Sequence, residues 1–265
     1  MSHSESAPAG VDYNLELVET SPAQILDTCI RQPCPNCKSQ IKYFCYNCYF
    51  ICPEISEHIP TINLPLKLHV FKHHQELSGK STAIHAKILA GNTTCIINYP
   101  SEEGVSLDPA KCLLLYPGAD AKTMQELQEE GKLAEYTDII VIDGTWKQAR
   151  GMICDESRPE HLAKHSLSQK NILHKAQKVT IQPRNTKFWR YQNMGPTHLA
   201  TIEAIYFLYL EYQMATHKDI QNVDDLLFFY KYFYHLIQNR YASNSGMVYT
   251  SRHQKDYIKY ENISN

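Results

Sequence analysis

Residues 138–143, Asp-Ile-Ile-Val-Ile-Asp, place four β-branched apolar side chains in a row between two carboxylates. A strand apolar on both faces has to run through the middle of a sheet that is covered on both sides. The segments around it alternate in pattern. Strands are expected at 64–71, 93–99, 111–118 and 178–183, and helices at 81–90, 121–132, 201–215 and 223–240. Gly131 ends the second of these helices, Asn222 is a candidate cap for the last, and Asp225 sits in its first turn. This alternation predicts an α/β domain with a mainly parallel sheet and flanking helices, whose ligands lie beyond the carboxyl ends of the strands. Asp143 and Pro117-Gly118 both stand at such ends.

A different pattern precedes this domain. Cys34 and Cys37 form one C-x-x-C pair, and Cys45 and Cys48 form a second. Four thiolates suit a tetrahedral Zn²⁺ and leave no open position, so a structural site is expected, with a hairpin in the residues between the pairs. Cys52 is the alternative to one of the four. Lys38, Lys42 and Tyr43 would suit a nucleic-acid contact, beside the plainer role of stabilising the fold. The expected organisation is an N-terminal extension (1–28), a zinc-ribbon-like module (29–58), the main domain (59–240) and a mobile tail (241–265).

Composition narrows the function classes. No apolar run approaches bilayer length and the first ten residues are polar, so the chain is expected to be soluble and intracellular, where thiols bind metal sooner than they form disulfides. A formal charge of −2 means that an RNA partner requires cations gathered on one face. Neither G-x-G-x-x-G nor G-x-x-x-x-G-K-[ST] occurs, which argues against the common dinucleotide and P-loop cradles.

Three stretches concentrate reactive side chains. In 69–87, His74, Glu76, Lys80, Ser81 and Thr82 either face a ligand or, for Ser81, cap the next helix. In 143–150, Asp143-Gly144 reads as a turn and Trp146 as core when taken alone. In 182–204, Arg184, Lys187 and Arg190 are interleaved with Phe188, Trp189 and Tyr191, pairing cations for phosphates with rings for bases. Glu203 then opens a helix, where a carboxylate is favoured in any case.

Taken in order, the paired C-x-x-C, LPLKLHVFKHHQELSGKSTAIHAKIL (64–89), LLLYPG (113–118), IDGTW (142–146), KFWRYQ (187–192) and TIEAIYF (201–207) resemble the DTW-domain family. Asp143, Thr145 and Trp146 match its D-x-T-W motif, and GKSTAIHAK looks like a eukaryotic tRNA-modifying branch. The resemblance implies a SPOUT-like sheet with a trefoil knot. It also implies transfer of the 3-amino-3-carboxypropyl group of S-adenosylmethionine to N3 of a D-loop uridine in tRNA, with methylthioadenosine released.

On that reading Asp143 is the base or orients the uracil edge, Thr145 positions the reacting groups, and Trp146 packs on cofactor or base. Pro117, Gly118, Leu199 and Thr201 wall the cofactor, and Glu203 takes its amino group. Lys147, Arg184, Lys187, Trp189 and Arg190 contact RNA, with Arg190 alternatively holding the cofactor carboxylate. The rival readings are a SPOUT-type RNA methyltransferase using the same cofactor and a non-catalytic zinc-ribbon RNA-binding adaptor. Two departures stand out: Ala200 replaces the serine often found before TIEA, and a Lys/Arg-rich insertion carried by some relatives is missing. The second weakens the nuclear location that the resemblance suggests and leaves a cytoplasmic one open.

Overall fold

A computed structural model describes residues 10–18, 21–101, 104–154, 164–190 and 195–244. Its first two strands, β1 (Gln32–Pro33) and β2 (Gln40–Ile41), pair antiparallel across the first cysteine knuckle. A bridge between Phe44 and Ile51 closes the second knuckle in the same way. The hairpins therefore wrap each C-x-x-C instead of lying between the pairs, because each knuckle supplies its own reversal. Lys38 and Tyr49, the residues after each pair, adopt left-handed φ values of 63° and 60° and return their N–H groups to Cys34 O and Cys45 O at 2.9 and 3.0 Å. Two short helices, α1 (Pro22–Leu26) and α2 (Pro53–Ser56), flank the module.

The module shares its core with the main domain. Phe44 packs edge-on against Phe229 at 4.9 Å, and the buried Tyr43 hydroxyl meets that of Tyr232 at 3.1 Å. Tyr43 is thereby withdrawn from any surface that nucleic acid could reach.

Five further strands make the main sheet: β3 (Lys67–His73), β4 (Thr94–Tyr99), β5 (Cys112–Leu115), β6 (Asp138–Asp143) and β7 (Gln177–Val179). All pair in parallel, in the order β4-β3-β6-β5-β7. The apolar run of β6 is buried in the centre, as its composition requires. Leu68, Val70, Leu113, Ile139 and Val141 enter one core with residues of α3 (Ile84–Leu89), α4 (Met124–Glu129), α7 (Thr201–Thr216) and α8 (Phe228–Ala242). Phe71, Cys112, Leu114 and Ile140 enter another with Met152 and Ile153 of α5 (Trp146–Cys154) and Ile172 and Leu173 of α6 (Lys164–Lys175). Alternation along each strand thus feeds two helix layers.

Local chemistry sets the element ends. Thr123 and Glu126 form a reciprocal capping box at the start of α4, and Gly131 at φ 72° terminates that turn of chain. Helices α5 and α6 are absent from the sequence reading, since the stretch after Asp143 carries no regular apolar period. The expected 223–240 helix begins instead as a 3-10 turn at Val223–Leu227. Asn222 sits there at φ 57° and makes no side-chain cap, which corrects its expected role. The strand expected at 178–183 ends at Val179, and the chain beyond it pairs with residues before the cysteine module: Val11 N–H donates to Pro183 O at 3.1 Å and Asn185 N–H to Val11 O at 3.0 Å. Part of the N-terminal extension thus packs on the main domain through Val11. Of the expected mobile tail, Tyr241 and Ala242 complete α8, and 245–265 lie outside the described residues.

A candidate active site at the carboxyl end of β6

Strand β6 delivers Asp143 to the sheet edge where two helices begin. Gly144 follows in a tight place: a Cβ there would stand 3.2 Å from His73 Cβ and 2.9 Å from Gln148 Oε1, so both side chains would have to give way. Thr145 then caps α5. Its Oγ1 accepts from Gln148 N–H at 3.3 Å, and its own N–H donates to Gln148 Oε1 at 2.6 Å, the reciprocal arrangement of a capping box. Trp146, the first helical residue, is left partly exposed, so the turn-plus-core reading of this stretch fails for the tryptophan.

Asp143 is 2% exposed, and its Oδ1 accepts from the Thr201 hydroxyl at 2.7 Å. Oδ2 is buried without a hydrogen-bond partner among the described residues. Burial pushes the carboxyl above its ordinary pKa, against the Thr201 and Ser81 hydroxyls and the Lys72 charge, which pull it down. Ser81 stands near enough to act on the carboxyl, yet its Oγ completes no hydrogen bond of ordinary geometry and does not cap α3. A buried carboxylate with an open oxygen is a better proton acceptor than one in water.

The surface beside Asp143 has two lobes. One, of about 310 Å³, is mostly apolar and is walled by Leu115, Pro117, Trp146, Ile181, Leu199 and Thr201. The other, of about 540 Å³, is lined by Asp143, Thr145, Glu76, Lys80, Lys147 and Arg190. Gly144, Trp146, Leu199 and Thr201 border both. Glu76 has its carboxyl pushed up first by burial and then by the charge of Asp143. His198, which carried no signal in the sequence, meets the Trp146 ring edge-on at 5.2 Å with its Nδ1 buried and unpartnered.

The other expected site residues meet the cleft in different ways. Glu203 is fully buried and accepts from Tyr13 Oη (2.5 Å), Thr186 Oγ1 (2.6 Å), Lys187 N (2.8 Å) and Ala200 N (2.6 Å). With four donors on two oxygens and no exposed surface, it clasps the walls of the cleft and does not meet a ligand. The Ala200 contact is one half of a capping box; the other half has no side chain here, and Thr82 Oγ1 instead accepts from Ile202 N–H at 3.2 Å. Gly118 lines neither lobe and packs toward Asp120 and Lys178. Trp189 is partly buried beside Tyr230, with ring centroids 5.3 Å apart, so it belongs to the core. Arg184 lines the apolar lobe while its guanidinium pairs with Glu211 at 3.0 Å and covers the Phe207 ring. Arg190 donates to Lys80 O at 2.9 Å and Gly79 O at 3.3 Å, holding that loop against the polar lobe. Lys187 lies over the rings of Tyr13 and Tyr234 and lines neither lobe.

The sulfurs of Cys34, Cys37, Cys45 and Cys48 all lie within 4.8 Å of one another, with pairs at 3.3, 3.4 and 3.9 Å. A tetrahedron with Zn–S of about 2.3 Å has edges of about 3.8 Å, so the donor set fits Zn²⁺. Cys52 is outside the set, its Sγ directed at Lys42 O at 3.5 Å.

Comparison with known proteins agrees with the motifs. Residues 42–238 match the DTW domain. A tRNA-uridine aminocarboxypropyltransferase 1 from Xenopus tropicalis is 30% identical over 267 residues, spanning 85% of this chain and 86% of that one. Its namesake from Mus musculus is 30% identical over 258 residues, spanning 82% and 79%. Among solved structures, the SAM-dependent rRNA:acp-transferase Tsr3 from Vulcanisaeta distributa matches 67% of this chain and 81% of that one, at 16% identity and a TM-score of 0.39. With the Asp-Gly-Thr-Trp turn placed at the mouth of the cleft and the domain match running through it, the chain belongs to the DTW-domain family.

Proposed function

We propose that the protein is a tRNA-uridine aminocarboxypropyltransferase, moving the 3-amino-3-carboxypropyl group of S-adenosylmethionine to N3 of a D-loop uridine in tRNA. The observation that carries this reading is the position of Asp143: a buried carboxylate with one unpartnered oxygen, at the border between an apolar lobe and a polar, cation-bearing one. The full-length curated relatives that the chain matches bear the name of this activity.

The apolar lobe would hold the cofactor, with Trp146, Leu115, Pro117 and Leu199 against its uncharged parts. When bound, S-adenosylmethionine supplies a sulfonium-activated γ-carbon. The polar lobe would hold the uridine, with Lys80, Lys147 and Arg190 beside its phosphates. Asp143 Oδ2 takes the N3 proton, and the nitrogen lone pair forms the new N–C bond. The C–S bond breaks and its electron pair stays on sulfur, leaving neutral methylthioadenosine. Thr201 holds Oδ1, so the second oxygen keeps its aim. The trefoil knot belongs to the same reading. It is supported by the strand order and by the way residues 180–184 and 197–199 line the cleft after β7.

Incubation of the protein with tRNA and S-adenosylmethionine, followed by nucleoside mass spectrometry, tests the proposal. Methylated uridine with S-adenosylhomocysteine would indicate a methyltransferase instead, and tRNA binding without cofactor turnover would indicate an adaptor.

A further inference from the structure

A third cavity, of about 280 Å³, opens where the second cysteine knuckle meets the sheet. Its lining includes Tyr46, Asn47 and Tyr49 from the knuckle, Lys72 and Asn98 from strand ends, and Ser81. Among the described residues it shares no lining residue with the two lobes beside Asp143. It is nevertheless adjacent to them. Lys72 is the register partner of Asp143 across β3 and β6, about 4.8 Å away at ordinary strand spacing. Lys80 and Thr82 line the polar lobe while Ser81, between them, lines this cavity.

The chemistry of the cavity selects a ligand class. Ser81 is 7% exposed, and its hydroxyl, which stands near the Asp143 carboxyl, completes no hydrogen bond of ordinary geometry among the described residues. Two half-buried phenol rings offer stacking surface, two carboxamides offer paired donors and acceptors, and Lys72 supplies one cation. No carboxylate is present among its described lining residues, which disfavours a metal ion or a cationic ligand. The volume is at the small end for ligand pockets, so it suits a single planar ring system. Rings flanked by amides and hydroxyls are how proteins hold unstacked RNA bases and read their edges.

We propose that this cavity receives the nucleobase next to the target uridine, so that the cysteine module reads the RNA strand while Asp143 acts one nucleotide away. The proposal rests on the tRNA reading above. Enzymes that draw one base out of its stack also contact the nucleotides that flank it. The knuckle that carries Tyr46, Asn47 and Tyr49 is set by Cys45 and Cys48, so loss of metal would disturb this contact without touching the two lobes directly.

The test uses the full-length zinc-loaded protein and tRNA carrying 4-thiouridine on either side of the target uridine. Ultraviolet crosslinking followed by peptide mass spectrometry is expected to join one flanking nucleotide to the Tyr46–Tyr49 segment. In parallel, Tyr46→Leu and the exposed-site variant Asn98→Ala are expected to raise the KM for tRNA, roughly ten-fold for the lost ring. The KM for S-adenosylmethionine and the bound zinc should match wild type. Crosslinks confined to other segments, or unchanged tRNA KM in both zinc-replete variants, would overturn the proposal. A wild-type protein that forms no aminocarboxypropyl-uridine would reject the activity reading instead. An active wild type with neither crosslink nor KM effect rejects this pocket alone.

Discussion

The Thr201 hydroxyl donates to Asp143 Oδ1 at 2.7 Å, tying the last residue of β6 to the first residue of α7. That bond occupies one carboxylate oxygen and leaves the other buried and open. The consequences for activity and stability have opposite signs.

Asp143→Asn keeps the shape and removes the base. Transfer to tRNA should fall by about 10²–10⁴-fold, the usual weight of general-base catalysis, while cofactor binding persists. Single-turnover rates and cofactor titration separate the two. Wild-type transfer would contradict the assignment.

Burial raises the pKa of Asp143, so the folded protein holds this proton more tightly than the unfolded chain. Its unfavourable contribution is absent below the unfolded carboxylate pKa and grows as pH rises through the folded one. Asp143→Asn should therefore gain stability relative to wild type as pH increases across that window, in urea melts at several pH values. Transfer by the wild type should rise through the same window, because the ionised form is the base.

Glu203 joins the N-terminal segment, the 186–187 loop and the start of α7 through its four donors. Glu203→Gln sets an NH₂ against groups that are themselves donors. A loss of about 1–3 kcal/mol is expected for the buried mismatch. Tyr13→Phe removes one donor and should cost about 1 kcal/mol or less. Denaturant midpoints measure both, and equal stability of all three proteins would contradict the clasp.

Thr145 serves as a helix cap, so Thr145→Ala should lose about 0.5–2 kcal/mol and Thr145→Ser should recover most of it. If Ser restores stability but not transfer, the threonine methyl matters to the substrate as well.

Cys45→Ser should abolish zinc binding and loosen the shared core around Phe44 and Phe229, while Cys52→Ser should retain one zinc per chain. Elemental analysis with a thermal melt reads both; zinc loss from Cys52→Ser would redraw the ligand set.

Much of this architecture was legible because it follows from local chemistry. The apolar run of β6 requires a covered central strand, and two C-x-x-C pairs require a tight metal-sized cluster. The placement of Asp143 followed from the strand end. The clasp was not legible: Tyr13 and Glu203 are 190 positions apart, and a first-turn glutamate is adequately explained by the helix dipole alone. Arg184 and Trp189 carry a second role for a related reason. Cations interleaved with rings satisfy RNA, but they also satisfy an inward ion pair and an aromatic core. Helix α5 was hidden because its capping box spans Thr145 and Gln148, inside the stretch that reads as a turn.

The most direct test of the central claim follows both products of one reaction: tRNA nucleosides and the released cofactor fragment, by mass spectrometry, for wild type and Asp143→Asn. Wild type is expected to give 3-(3-amino-3-carboxypropyl)uridine and methylthioadenosine in equal amounts, and the variant almost none. Methyluridine with S-adenosylhomocysteine, or undiminished aminocarboxypropyl transfer by the variant, would contradict it.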